Sequence, residues 1–233
     1  MSSPIRMRGF NQYSSQHIWS AGALICLLPA LEQNADEIKA EVEKGTYTRL
    51  LNYRAYVSGA IFSSVAFLEA TINELLFMAG DSLMQRTLAL PPDDVVALAS
   101  SVPLVLERRG MSTLDKYQLT LAITRRPNLD PGALPYADAA ALIGLRNELI
   151  HYVPEWFEPD VKPQKIVARL AGKFRLNPLE SELAGDHFLR YLSYGCARWA
   201  FESSLDFADE FFARLGMKPH YQTITAPPRS LLP

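Results

Sequence analysis

Residues 46–80, TYTRLLNYRAYVSGAIFSSVAFLEATINELLFMAG, form the longest uninterrupted apolar pattern in the chain and constrain its fold more than any other stretch. Val57, Ile61, Val65, Leu68, Ile72, Leu75 and Leu76 recur at steps of three and four, the repeat of one buried helical face. Gly80 and Asp81 end the pattern.

Other segments read in the same way. A first helix is expected over about 15–44, stopped by Gly45, after a loose polar lead at 1–13. The Pro-Pro-Asp-Asp run at 91–94 opens a helix to Glu107, with a bend expected at Pro103. Ser112 and Asp115 have the spacing of a capping arrangement for a helix over 112–124. The Pro, Asn, Asp and Gly of 125–136 read as a loop. Helices are then expected over 136–153 and 186–216, with a loose tail at 222–233. Between them, 154–185 carries four prolines and two glycines and reads as an irregular excursion, with short strands possible within KIVARLAGKFRL. No period-2 strand array and no internal repeat interrupt this pattern. The expected fold is therefore all-α: a single bundle of about five to six helices with one irregular insertion.

Composition narrows the function classes. A hydrophobic content of 48% with 21% charged residues suits a globular protein. The net charge of −2 lacks the basic excess of a duplex-DNA binder, so any nucleic-acid role must rest on a local patch. Two distant cysteines, Cys26 and Cys196, give neither a disulfide framework nor a zinc motif and fit a reducing compartment. The apolar stretch 18–31 follows two arginines but is short, contains Pro29 and leads into an acidic helical run. Neither secretion nor membrane insertion is expected, and a cytoplasmic location is. Phosphate-loop, zincin and nucleophile-elbow motifs are missing, and no bound metal or cofactor is expected.

One helix stands apart. In LIGLRNELIHYVPEW, residues 142–156, Arg146, Asn147 and His151 gather on an otherwise apolar helix just before Pro154. Asn147 and His151 lie one turn apart on one face, and Arg146 lies on the adjoining flank. The C-terminal macrodipole favours a cation there, an imidazole can act as general base or acid, and a guanidinium suits a phosphate. Metal-independent RNA cleavage needs those parts. The plainer alternative is a capped helix end with its ion pairs.

RNELIH, with Tyr152 and Pro154 after it, resembles the R-x4-6-H signature of the HEPN superfamily (higher eukaryotes and prokaryotes nucleotide-binding). The helix containing SSVAFLEATINEL resembles the early helix of that family, and CARWAFESSLDFADEFFARLG resembles its closing helix. The resemblance covers most of residues 46–216. It implies that Arg146 and His151 are a catalytic pair, with Asn147 the adjacent polar residue, in a metal-independent endoribonuclease. It further implies a homodimer whose two motifs face one cleft, an RNA substrate, and a toxin or phage-defence setting with an antitoxin or defence partner. Toxins of the family that are controlled by nucleotidyltransferase-type antitoxins often carry a tyrosine two residues after the histidine. Val153 holds that place here, with Tyr152 adjacent to His151, so regulation through a modified tyrosine is not expected.

Supporting residues follow from spacing. Glu69 and Asn73, one turn apart at the edge of the long helix's apolar stripe, are expected to face the motif helix, with Glu69 pairing to Arg146 or orienting His151. The run VKPQKIVARLAGKFRL carries Lys162, Lys165, Arg169, Lys173 and Arg175 and no acidic residue, and could track an RNA backbone. A solvated charged surface is the ordinary alternative. Trp156 and Phe157 could stack on bases or pack the excursion onto the bundle. His17, His187 and His220 carry no pattern. A non-catalytic interaction module of the same fold is the competing functional expectation.

Overall fold

A computed structural model describes residues 12–107, 110–151, 165–180, 188–219 and 221. The elements are α1 (Tyr13–Cys26), α2 (Leu28–Gln33), α3 (Ala35–Glu43), α4 (Thr48–Gly80), α5 (Pro92–Glu107), α6 (Thr113–Ile123), α7 (Tyr136–Ile150), α8 (Lys165–Leu170) and α9 (Tyr194–Leu215). Short 3-10 turns lie at Gln85–Thr87 and Leu189–Tyr191. The fold is all-α, with no strand among the described residues.

The long apolar pattern is α4, and it forms the axis of the bundle. All seven residues of its predicted face are buried. Helix α1 runs antiparallel to it. Ser14, at the start of α1, donates through its amide and hydroxyl to the Glu74 carboxylate at 2.9 and 2.6 Å. Near the other end of α1, Leu24 Cδ1 lies 2.9 Å from where a Cβ on Gly59 would stand, so the missing side chain sets how closely the helices approach. Helix α9 runs alongside α4 in the same direction. The Tyr194 amide donates to the Tyr53 hydroxyl at one end, and Phe67 stacks edge-on with Tyr221 beyond the other. Half of α4's most apolar window is buried against these neighbours, which accounts for a hydropathy that would also suit a membrane span.

The remaining helices close around this frame. Ser112 caps α6 by accepting from the Asp115 amide at 3.1 Å, at the expected spacing. Tyr117 of α6 sits edge-on between Phe207 and Phe211 and donates to the Leu68 carbonyl at 2.8 Å. Helix α7 buries Ala139, Ala141, Leu142 and Leu145, and α8 packs on it through Ile166, Val167 and Leu170.

Several sequence expectations are corrected. The single helix expected over 15–44 is three, broken at Leu27 and Asn34; Pro29 sits in the first turn of α2, where its missing N–H costs nothing. KIVARL is a helical turn and not a strand, because Ile166, Val167 and Leu170 share one helical face against α7. The motif helix stops at Ile150, with His151 as its C-cap. The last helix starts at Tyr194, where Ser193 caps it by accepting from the Cys196 amide at 3.0 Å.

Candidate functional site at the end of α7

The last two turns of α7 present the motif to solvent. Arg146 is partly buried on the flank toward α4, and its Nη2 lies 3.9 Å from Glu69 Oε2. The Arg146 side chain is 25% exposed and that of Glu69 48%, so the contact is a long, partly solvated ion pair of small energetic weight. Asn147, Glu148, Ile150 and His151 are exposed. The His151 amide closes the helix by donating to the Asn147 carbonyl at 2.9 Å. Its imidazole and the Asn147 side-chain amide form no hydrogen bond with any of the described residues. A structural cap would tie these groups down. Here the backbone does the capping and leaves both side chains available.

At about 100° per residue, Arg146 and His151 point roughly 140° apart around α7. Arg146 is turned to Glu69, as expected. Asn73 departs from expectation. Its Oδ1 accepts from Lys116 Nζ of α6 at 2.9 Å, so it braces α6 against α4 instead of facing the motif.

The basic run divides in the same way. Lys173 is bound to Asp138 of α7 at 2.6 Å, and the other oxygen of Asp138 accepts from Trp199 Nε1 of α9 at 3.1 Å. This three-part contact fastens the segment after α8 to both helices, and it takes Lys173 out of any free cationic track. Arg175 is exposed, and its backbone is held by the Ser193 hydroxyl donating to its carbonyl at 2.6 Å. Lys165 and Arg169 are exposed on α8. Lys162, Tyr152, Trp156, Phe157, His187 and His220 lie outside the described residues. His17 is partly buried on α1, with its ring 6.4 Å from that of Tyr13.

One contact of this constellation is not legible in the sequence, which places Arg169 in the basic run but not against α7. Arg169 Nη1 lies 3.4 Å from where a Cβ on Gly144 would stand, so its guanidinium rests against the α7 backbone. A lone glycine inside an alanine-rich helix was the available signal. No protein-family model, curated protein or solved structure matches this chain. Among the described residues, no group of three or more His, Cys, Asp and Glu is placed to hold a metal ion.

Proposed function

We propose that this chain is a HEPN-like protein that cleaves single-stranded RNA without a metal ion, at a cleft where two copies bring their Arg146 and His151 together. The observation that carries this reading is the exposed Asn147–His151 pair, unused in the packing of α7, beside an arginine whose one ion pair among the described residues is the long one to Glu69. One imidazole takes the proton of a 2′-hydroxyl, whose oxygen attacks the adjacent phosphorus. The bond from phosphorus to the 5′-oxygen breaks, and a protonated imidazole, supplied by the second copy, returns a proton to that oxygen. Arg146 bears on the non-bridging oxygens, where negative charge builds up. The products are a 2′,3′-cyclic phosphate and a 5′-hydroxyl. A toxin or defence role in the cytoplasm accords with such an activity.

Incubation of single-stranded RNA in EDTA with wild type, Arg146→Ala and His151→Ala tests the proposal. Cleavage by wild type to cyclic-phosphate ends, lost in both variants, is expected. Equal cleavage by all three contradicts it.

A second reading is carried by Ile150, which is 53% exposed beside His151. An apolar side chain among polar ones at a helix end suits a protein contact, so the same surface could serve a non-catalytic interaction module. That reading predicts that His151→Ala weakens self-association with no cleavage to lose.

A further inference from the structure

Gly144, Asn147 and His151 fall within about 60° of one another around α7, and Gly144 and His151 are about 10 Å apart along its axis. Asn147 lies between them. The Arg169 guanidinium, reaching across from α8, covers Gly144. It forms no ion pair among the described residues, although Glu148 borders the same face. Its position is set by more than its own flexible stem. Ile166, Val167 and Leu170 bury α8 against the bundle, and Lys173–Asp138–Trp199 fastens the chain just beyond it.

Electrostatics make this arginine consequential. The C-terminal end of a helix carries about half a negative charge on its unpaired carbonyls, which repels phosphate. Arg146 offsets this on the α4 flank, but Glu69 partly neutralises it there. On the flank that carries His151, Arg169 is the cation seated directly on α7.

We propose that Arg169, seated by Gly144, is the phosphate-binding residue on the His151 side of α7. It takes the phosphate next to the scissile one, so that single-stranded RNA lies along α7 from Gly144 toward His151. This rests on the reading of Asn147 and His151 as an RNA site, and adds to it a direction for the strand and a second anchoring cation.

The test is fluorescence anisotropy with a labelled, uncleavable 2′-O-methyl single-stranded RNA in EDTA, titrated at several salt concentrations. Arg169→Ala should weaken binding by about tenfold and lower the salt slope by about 0.7, the value of one lost phosphate contact on a single strand. Gly144→Val keeps the charge but fills the guanidinium's seat, and should weaken binding comparably. Arg198→Ala, which removes an arginine paired with Glu202 on α9, should change affinity by less than about twofold. If wild type binds while Arg169→Ala and Arg198→Ala behave alike, the inference fails and the proposed function stands. If Arg169→Ala weakens binding and Gly144→Val does not, the arginine acts as diffuse charge and the seated arrangement is overturned. If wild type neither binds nor cuts RNA, the reading of α7 fails and this inference falls with it.

Discussion

Arg146 Nη2 and Glu69 Oε2 face each other at 3.9 Å between α7 and α4, and so tie the motif arginine to the central helix of the fold. Because the pair is long and the Glu69 side chain is half exposed, Glu69→Ala should change unfolding free energy by less than about 1 kcal/mol. Under the proposed function, its effect should appear in RNA cleavage instead. Losing the partner lets the guanidinium wander, so single-turnover cleavage should slow several-fold. Removing a negative charge should leave RNA affinity equal or higher. Chemical denaturation together with rapid-quench cleavage separates the two effects, and unchanged values in both would remove Glu69 from the site.

Glu74 is the opposite kind of carboxylate. It is buried on α4 and accepts two hydrogen bonds from Ser14 at the start of α1. Glu74→Ala strips a charged acceptor from those donors and should cost about 2–3 kcal/mol. Hydrogen exchange should show the first turn of α1 opening ahead of the rest. Uniform protection along α1 in the variant would contradict this.

Gly195 sits in the first turn of α9, where a Cβ would stand 3.0 Å from the Arg175 carbonyl oxygen and 3.1 Å from its amide nitrogen. Those atoms are backbone and cannot rotate aside. Gly195→Ala gains helix propensity, but the clash should outweigh it, for a net loss of about 1–3 kcal/mol. Tm should fall by a few degrees. An unchanged or raised Tm would show that the 171–180 segment yields freely.

The fold is legible in the sequence where one periodicity dominates. The α4 stripe has seven apolar positions in register, and no alternative period fits it. The fold is less legible over 15–44: Pro29 is the one clear breaker and starts α2, while the helix-tolerant residues around Asn34 give no comparable stop. KIVARL was ambiguous because short apolar runs suit strand and helix alike. At the site, face geometry on two helices sufficed to pair Glu69 with Arg146. The competing partner of Asn73 was not legible, because nothing in the chain sets the register of Lys116 against α4. Nor did a run of cations disclose that Asp138 would claim Lys173.

Alkaline pH should destabilise the fold through groups remote from the site. Burial pushes the Cys196 thiol and the Tyr117 hydroxyl well up, and burial with the Glu32 hydrogen bond does the same to Tyr53. These groups hold their protons more tightly folded than unfolded. Their contribution is therefore complete below the unfolded values, about 8.5 for Cys and 10 for Tyr, and is lost as pH rises past them. Tm should be level from about pH 7 to 8 and decline from about pH 9 to 11. Cys196→Ala should delay the onset of the decline, whatever it does to Tm at neutrality. An identical pH profile in the variant would exclude the thiol as a contributor.

Proximity between copies tests the composite cleft without knowledge of the right RNA. Glu148 is exposed on the last turn of α7 and Cys26 is an exposed thiol, whereas Cys196 is buried. Glu148→Cys in a Cys26→Ser background, treated with a short bis-maleimide, places the reporter next to His151. A covalent dimer should form far faster than with a cysteine at Ser100, an exposed position on α5. Complete labelling that leaves the chain monomeric, or cross-linking no faster than from position 100, would contradict it.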